Sequence, residues 1–546
     1  MGIYSRVESG TTSFKSRFTK SISYTYKCDC RFGDLVPFMR KFCLPGDVWK
    51  ISSDVLVRFQ PMLSPSLTPN LLRVRYFFVP LRLLYPNTEL IITGSKEGHL
   101  YSGTLPTFPD FTENITDTSK LVVDKYSFWD YLGVQCFDYK NLQNKEFFPA
   151  NYWKKGYFRI WWDYFRDENI DIKNDFETWF NSSTTLNDLS RKLYSVTLPK
   201  DYFTSALPWQ LKGTAPAINV SGSASITPNY GNLFVNSEYP VTGDVIGLGL
   251  ASTVGNSLNL SPNDSNSQIS DAGVQNINNI IKSYLNTPQS ASVTQLGFTA
   301  DDLRTMMAQT RIFERLARAG SRYTEYLWSN FGTAPADETL QRAQYIGGYK
   351  VPIVTTEVLQ TAEDGTTPVG TMRGHGITRA GSQINTFHCK EFGFIMGLAY
   401  LLPKVEYTTG IDKELSYKSR FDFFNPSFQH LSEQEVRNGE LYVGSDDKND
   451  DTFGFQAYAN ELRSSRDLTV GDLRDSLSFW TQSMHFSSRP NLSYGFISAV
   501  NHLNSFNAPF SYLGSNARPV IMQFANNFDV YRPMVRYSTP GLVDHL

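Results

Sequence analysis

Residues 71–79 read LLRVRYFFV, a run of β-branched, leucine and aromatic side chains that favours an extended strand. Working outward, residues 22–26 (ISYTY) and 55–59 (VLVRF) place apolar or aromatic side chains at every second position, as half-buried strands do. Pro45 and Gly46 mark a turn between them, and further prolines follow. Short strands separated by regular turn signals predict an antiparallel β-sandwich or jelly roll.

Strand-like segments return in the second half of the chain. The clearest are residues 351–360 (VPIVTTEVLQ), 392–402 (FGFIMGLAYLL) and 493–500 (SYGFISAV). The second is apolar almost throughout, which is typical of a strand covered on both faces. No internal repeat or clean linker divides the chain, so we expect one jelly-roll domain over residues 1–546 with insertions.

Two segments interrupt the β pattern with helical spacing. Residues 152–165 place large aromatic side chains at helix-like intervals, which we interpret as packing rather than as a cofactor site. Residues 299–320 give the strongest helix signal, with Thr299 as candidate N-cap, acidic residues in the first turn and Gly320 as the stop. We therefore expect helical excursions from a β framework.

The second predicted helix carries a row of basic side chains opposite its apolar face: Arg304, Arg311, Arg315 and Arg318. One interpretation is an ordinary solvated face, with Glu314 as a partial ion-pair partner. The other is a cationic stripe that contacts phosphates or the carboxylates of a neighbouring subunit. The sequence leaves both interpretations open.

Residues 213–300 differ from the rest of the chain in composition, being rich in Gly, Ser, Asn and Thr with few charges. Disordered tails usually carry more charge and fewer apolar residues than this segment does. We therefore expect an ordered, loop-rich insertion on the outer face, where variable recognition surfaces usually lie.

Composition limits the class of protein. Aromatic residues make up 14% of the 546 residues and charged residues only 19%, below the roughly 25% of ordinary soluble domains. This balance favours a protein whose surface is covered by partners, although a secreted carbohydrate-binding β protein has a similar composition. The net charge of −2 excludes a free-standing nucleic-acid condenser, which needs a clear excess of Lys and Arg.

Five cysteines are spread along the chain without a readable disulfide framework, which fits folding in a reducing cytoplasm. Cys28 and Cys30 share one face of a predicted strand, and we interpret them as half-buried thiols rather than as a metal or redox pair. The N-terminal residues lack the apolar segment of a signal peptide, and no apolar run approaches the roughly 18 residues of a membrane-spanning helix. We expect a soluble protein that has no export signal of its own.

Few residue patterns point to catalysis or metal binding. His388 and Cys389 are neighbours on a predicted strand and so point to opposite faces, which argues against a thiol–base pair. The acidic residues of 446–451 lack the glycine and glutamate register of a calcium loop. We therefore predict a non-enzymatic protein with no catalytic residues, no metal site and no cofactor.

A glycan-handling protein is the alternative prediction. Carboxylates for glycoside hydrolysis could come from Asp163, Asp167 and Glu168, although sequence does not give their separation. In this alternative, a β-sandwich would bind or hydrolyse glycans with these tryptophans as stacking platforms: Trp161, Trp162, Trp179 and Trp209.

Several longer motifs occur in a fixed order along nearly the whole chain. They are LPGDVWKI (44–51), RYFFVPLRLLY (75–85), RIWWDYFRDENI (159–170), DYFTSALPWQLKG (201–213), RYTEYLWSNFG (322–332), LQRAQYIGGYKVPI (340–353), FNPSFQHLSEQEVRNGELY (424–442) and RPMVRYSTPGLVDHL (532–546). In this order the motifs resemble the major capsid protein of the Microviridae, the small icosahedral phages with single-stranded DNA, and most closely its gokushovirus branch.

The resemblance implies a mainly β fold, an eight-stranded antiparallel viral jelly roll with long loop and helical insertions. It implies a virion protein, made in the bacterial host cytoplasm, whose copies form a T=1 icosahedral capsid around circular single-stranded DNA. The implied partners are an internal scaffolding protein, a DNA pilot protein and a small basic DNA-binding protein. Residues 213–300 fall where such capsids carry a surface protrusion, so a host surface receptor is expected to bind there.

The last segment, residues 532–546, contains Pro533, Pro540 and Gly541 and so cannot be a regular helix or a central strand. Apolar side chains nevertheless recur along it, which a free polar tail would not need. We predict an extended arm that docks into a groove at or near an inter-subunit contact, with its arginines available for carboxylates. The predicted contact residues are Arg532, Met534, Arg536, Tyr537, Leu542 and Leu546.

Overall fold

A computed structural model describes most of the chain. The described residues are 18–96, 99–100, 102–111, 122–139, 148–173, 175–181, 193–214, 300–320, 322–359, 372–429, 433–511 and 517–534. The chain divides into two compact units, one made of Met1–Lys212 with Glu314–Leu546 and the other of Gly213–Phe313. Nearly all of the predicted insertion 213–300 lies outside the described residues, so its surface exposure stays a prediction.

The strands within the described residues are numbered in chain order. They are β1 Phe18–Cys30, β2 Val36–Cys43, β3 Val48–Phe59, β4 Asn70–Pro80, β5 Ser95–Lys96, β6 His99–Leu100, β7 Gln344–Ile353, β8 Thr355–Leu359, β9 Met372–Gly381, β10 Asn385–His388, β11 Gly393–Pro403, β12 Glu433–Arg437, β13 Thr452–Ala457 and β14 Val520–Arg532.

The helices of the same residues are mostly short. They are α1 Leu81–Leu84, α2 Thr88–Thr93, α3 Phe128–Tyr131, α4 Tyr152–Tyr164, α5 Phe176–Asn181, α6 Ala300–Ala319, α7 Tyr323–Phe331, α8 Asn438–Leu441, α9 Tyr494–Ile497 and α10 Leu503–Phe506. None of these helices is long and apolar enough to cross a membrane.

Two antiparallel sheets form the core of the larger unit. One has the strand order β1-β14-β3-β9-β8, with β10 also paired to β3, and the other has the order β2-β11-β4-β7. The sheets pack face to face, because the ring of Phe38 in β2 stacks on the ring of Phe524 in β14 with centroids 4.0 Å apart. The predicted fold class is confirmed: the protein is mainly β, with antiparallel sheets arranged as a jelly-roll-like sandwich.

Strand β11 shows why the fold follows from the hydrophobic pattern. Every residue of Gly393–Pro403 is buried, as predicted for the apolar run 392–402. One face of its sheet looks into the sandwich, and α4 covers the other, where the Trp153 ring lies 4.5 Å from that of Phe394. Gly156 of α4 also faces the Phe394 ring, so the helix approaches the strand closely. A strand that is covered on both faces carries apolar residues at successive positions rather than alternating apolar and polar ones.

Most other segment predictions agree with the structure. The three strands expected within residues 22–79 are present, and residues 351–359 form the end of β7 and β8. The aromatic helix is α4. Helix α6 ends at Ala319, directly before Gly320, whose φ of 93° gives the left-handed stop that the sequence predicted. The candidate N-cap Thr299 lies outside the described residues.

The strand predicted for residues 493–500 is wrong. This segment forms α9, Tyr494–Ile497, followed by a second short helical turn. The Ser493 hydroxyl accepts a hydrogen bond from the Phe496 amide at 3.4 Å and caps the first turn. A local cap therefore outweighed the β propensity of the aromatic and β-branched residues.

Candidate functional surfaces

The motif RIWWDYFRDENI begins in the second half of α4, where Ile160 and Trp161 are buried, and Tyr157 lies two residues before it on the same helix. The Tyr157 hydroxyl donates to the Leu35 carbonyl at 2.8 Å, and the Trp161 indole N–H donates to the Ser195 carbonyl at 2.9 Å. Burial raises the pKa of Tyr157 well above its ordinary value, so the phenol stays protonated as the donor. These two hydrogen bonds fix the helix on the sandwich through its aromatic side chains.

Three of the four candidate stacking tryptophans pack on one another instead of presenting free faces. The Trp179 ring lies 5.4 Å from Trp161 and 5.2 Å from Trp162, and Trp161 is only 1% exposed. Trp209 is half-buried, with the Lys212 ammonium 5.5 Å from its ring centre. A glycan platform needs open ring faces, so this packing disfavours the glycan-binding alternative.

The carboxylate of Asp163 serves as a structural contact. It accepts hydrogen bonds from the Arg159 guanidinium at 3.1 Å and from the Ala343 amide at 3.2 Å. Burial raises the pKa of this carboxyl, and the nearby Arg159 charge opposes the shift. Asp163 therefore ties α4 to the residue that precedes β7.

The other two candidate carboxylates are also engaged. Glu168 pairs with Arg322 at 2.8 Å, and Asp167 pairs with Lys200. Arg322 stands at the N-terminus of α7, so its pair with Glu168 fixes α7 against the end of the α4 motif. This geometry joins elements of the fold and does not assemble an acid–base pair for glycoside hydrolysis.

The motif DYFTSALPWQLKG is organised by its first residue. One carboxylate oxygen of Asp201 accepts hydrogen bonds from the amides of Phe203 at 3.0 Å and Thr204 at 2.8 Å. The other oxygen accepts a hydrogen bond from the Tyr407 hydroxyl at 2.6 Å. Burial, followed by the Asp201 charge, raises the pKa of Tyr407 well above its ordinary value. The start of this motif is thus a turn held by hydrogen bonds of Asp201.

Among the described residues of the larger unit, the most exposed aromatic side chains are on α7. Tyr323, Trp328 and Phe331 are 65%, 64% and 67% exposed, and no residue of this helix is buried. We call these three side chains the α7 aromatic surface. Apolar groups of this size on a protein surface are typical of a site that a partner covers.

A second exposed apolar group lies in residues 415–424, which we call the Phe421 loop. Leu415 is 78% exposed and Phe421 is 61% exposed, and Phe423 and Phe424 are exposed as well. The Arg420 guanidinium lies 4.5 Å from the Phe421 ring centre, which is a cation–π contact. Aromatic rings with arginine are the residue types enriched at protein interfaces.

The arginine stripe on α6 is only partly free. Arg304 pairs with Asp301 one turn away at 3.0 Å, and Arg318 pairs with Glu433 at 2.6 Å. Burial raises the pKa of Glu433, and the Arg318 charge opposes this. Arg315 donates to the Asn330 side chain at 3.3 Å, and Arg311 is exposed. The ion pair of Arg318 with Glu433 joins the end of α6 to β12. A phosphate or inter-subunit role for the stripe stays a prediction.

Arg532, the first residue of the predicted arm, is the last residue of β14. Its guanidinium binds the carboxylate of Asp47 at 2.8 Å and the Phe42 carbonyl at 3.0 Å, and lies 5.3 Å from the Trp49 ring centre. Asp47 is completely buried. Met534 is exposed, whereas Arg536, Tyr537, Leu542 and Leu546 lie outside the described residues. Sequence reasoning missed the Asp47 contact, although the motif LPGDVW contains this aspartate.

The remaining candidate residues are placed apart from one another. His388 is exposed and Cys389 is buried, so the two adjacent side chains face opposite ways. Cys28 and Cys30 are free thiols on β1. Asp446, in the acidic segment, pairs with Arg489. Among the residues that the structure describes, no cluster of His, Cys, Asp or Glu is arranged to hold a metal ion.

Comparison with known proteins decides between these interpretations. A family model described as "Capsid protein (F protein)" matches residues 5–542. The chain belongs to this capsid protein family. Capsid protein VP1 of Chlamydia phage 1 is 28% identical over 589 residues, covering 97% of this chain and 96% of that protein.

Two further relatives agree. Capsid protein VP1 of Bdellovibrio phage phiMH2K is 28% identical, with 96% of this chain and 95% of that protein covered. Capsid protein VP1 of Spiroplasma virus 4 is 26% identical, with 93% and 92% covered. The resemblance found in the sequence is confirmed. The protein is a structural capsid subunit of a phage, and it assembles with its copies into the shell of the virion.

Proposed function

We propose that copies of this chain form a T=1 icosahedral capsid around a circular single-stranded DNA genome. The observation that carries the proposal is the pair of exposed aromatic surfaces on a family member whose other aromatic motifs are packed inside the subunit. The Phe421 loop and the α7 aromatic surface supply apolar area that a neighbouring subunit covers in the shell. The structural role requires no catalysis, and we propose that the chain is not an enzyme.

The low charge of the chain supports a division of labour in the virion. Its net charge of −2 does not neutralise a packaged genome, so a small basic DNA-binding protein supplies that charge. An internal scaffolding protein guides assembly and a DNA pilot protein assists genome delivery. Residues 213–300 form the surface protrusion that binds a host receptor.

Free thiols support synthesis in the bacterial host cytoplasm. All five cysteines lack a disulfide, and three of them, Cys30, Cys43 and Cys389, are buried in the folded subunit. A reducing compartment keeps such thiols reduced during folding. The subunit then reaches the virion through assembly rather than export.

Replacing Phe421 and Phe423 together by Ser tests the assembly surface. We expect folded subunits with unchanged circular dichroism and a drop of about tenfold or more in particle yield, because hydrophobic contacts dominate such interfaces. The control is Ile172→Ser, which removes a similarly exposed apolar side chain outside both surfaces. Particles are counted by negative-stain electron microscopy after gradient sedimentation. A normal yield from the double variant contradicts the assignment of this surface.

A second experiment addresses the genome and shell size. Intact particles are treated with nuclease and then opened, and the protected nucleic acid is characterised. Uniform particles of the smallest icosahedral size containing circular single-stranded DNA support the proposal. Particles of mixed size, or a stable monomer retained on a glycan column, contradict it.

The arm is tested by truncation. A chain that ends after Met534 keeps β14, including its Arg532 contact with Asp47, and loses residues 535–546. We expect folded subunits that do not close into shells, because the arm contributes to contacts between copies. The sedimentation profile separates subunits from shells. Normal shells from the truncated chain refute the proposed arm.

A further inference from the structure

An apolar groove runs between the two sheets at one side of the sandwich. Its walls are β1 and β2, and each of these strands lies at the end of the strand order of its sheet. The groove has a volume of about 530 Å³ and is lined by side chains such as Ile22, Tyr24 and Phe42. Phe42 is exposed and the other two are half-buried, so apolar surface is left open here.

Two cations line the same groove. Lys41 places its ammonium 4.8 Å from the Tyr24 ring centre and 5.5 Å from that of Phe528, and Arg40 lies beside the Trp153 ring. Within the described part of the chain, neither cation forms an ion pair with a carboxylate. Burial, the Arg40 charge and the Arg532 charge lower the pKa of Lys41. The groove therefore combines apolar walls with positive charge that has no counter-charge.

The chain leaves β14 at the end of this groove. The Arg532 guanidinium is bound to the carbonyl of Phe42, one of the groove residues, and the Pro533 ring lies close to Gly46. The last described residues of the chain therefore lie next to Phe42, at one end of the groove.

The sequence of those residues matches the groove in chemistry and reach. Residues 542–546 read LVDHL, with Asp544 as the only acidic residue after Met534 and apolar residues on both sides of it. Fully extended, residues 535–546 span on the order of 40 Å, whereas β1 from Ile22 to Tyr26 covers only about 13 Å. The segment is long enough to run outward, turn at Pro540 and Gly541, and return.

We propose that residues 542–546 occupy the groove between β1 and β2 of their own chain. Leu542 and Leu546 cover the apolar walls, and Asp544 faces Arg40 and Lys41. This inference refines the proposed arm: the arm is seated on its own subunit, and the closed groove becomes part of the face that a neighbour contacts. Seating of the segment does not itself require assembly.

Disulfide trapping tests the seating in unassembled full-length subunits. In a Cys136→Ser background, which removes the exposed native thiol, we introduce Phe42→Cys with Leu542→Cys and add a mild oxidant. The matched control pairs Leu542→Cys with Ile521→Cys, because Ile521 is exposed near the opposite end of β14. We expect rapid formation of a monomer-sized cross-linked species for position 42 and little for position 521.

The other outcomes overturn the proposal. Equal trapping at positions 42 and 521 shows that the segment is not seated in the groove. A dimer-sized product shows that it enters the groove of another copy. Asp544→Asn in the trapping background should slow cross-linking about fivefold, since it removes the acidic side chain that faces Arg40 and Lys41. Asp529→Asn, on β14, serves as its control and should change the rate little.

A measurement without engineered cysteines covers the case in which those variants do not fold. Hydrogen–deuterium exchange compares the full chain with the chain truncated after Met534. We expect amides of residues 38–42 to exchange faster in the truncated subunit, and unchanged exchange refutes the seating. If the segment is seated but the truncated chain still forms shells, the proposed role of the arm in assembly fails while the groove assignment stands.

Discussion

Replacing Arg532 by Met should strongly destabilise the subunit. Asp47 is completely buried, and its carboxylate is paired with the Arg532 guanidinium at 2.8 Å. Removing one partner of a buried ion pair costs about 3–5 kcal/mol, because the other charge is left without compensation. Asp47 would keep two donors, the Leu44 amide at 2.9 Å and the Trp49 indole N–H at 3.3 Å. We therefore expect the lower end of that range, about 3 kcal/mol.

The free energy of unfolding of the unassembled subunit, obtained from a urea titration, measures this loss. The matched control is Lys404→Met, which breaks an ion pair with Asp467 at 2.7 Å whose side chains are about half exposed. A surface pair of this kind contributes about 0.5 kcal/mol. Each variant leaves one carboxylate without its partner. That carboxylate is the buried Asp47 in Arg532→Met and the half-exposed Asp467 in Lys404→Met.

A double variant completes the experiment. Asp47→Asn combined with Arg532→Met removes the buried charge together with its partner, so we expect it to recover much of the loss. If Arg532→Met loses no more stability than Lys404→Met, the carboxylate of Asp47 is not an uncompensated buried charge, and the reasoning is refuted.

Three further variants follow from the packing and the titration of buried groups. Gly156→Ala gains about 1 kcal/mol of helix propensity, but the added Cβ overlaps the buried Phe394 ring, which costs about 1–3 kcal/mol. Urea titration should therefore show a lower free energy of unfolding for this variant, and a higher one would contradict the close packing. Trp161→Phe leaves the Ser195 carbonyl unpaired and should cost about 1–3 kcal/mol, against almost no change for exposed Trp328→Phe. Burial raises the pKa of Glu440 above its ordinary value near 4.5, because the folded state favours the protonated carboxyl. The stability that Glu440 contributes is therefore present at low pH and is lost as the pH rises through the pKa of the folded state. Glu440→Gln should therefore gain stability relative to the unmodified chain as the pH rises above about 4.5, and identical pH profiles in thermal unfolding would contradict this.

The sequence predicted those parts of the fold that depend on local pattern. The apolar run 392–402 became the buried strand β11, and Gly320 stopped α6, because burial on both faces and a left-handed stop each leave a local signature. The strand prediction for residues 493–500 was wrong. The Ser493 hydroxyl caps a helical turn there, and the β preference of the segment is too weak to oppose it.

The functional surfaces were harder to foresee. The Phe421 loop is exposed because no other element of the described chain covers it. The sequence does not indicate this, since a phenylalanine-rich segment that is buried has the same composition. The contact between Arg532 and Asp47 joins residues from opposite ends of the sequence, so neither residue alone indicates it. The order of the motifs along the chain identified the family, whereas contacts between residues far apart in the sequence could be found only in the structure.

The position of β14 sets the order in which the subunit can fold during translation. β14 lies between β1 and β3 and is hydrogen-bonded to both, yet it is made hundreds of residues after them. At about 5–20 residues per second, the ribosome leaves the two earlier strands without their shared neighbour for tens of seconds. Their exposed edges need protection during that interval, because unpaired strands aggregate. Prematurely terminated chains never receive β14, so only polypeptides translated past it can complete the sheet and join a particle.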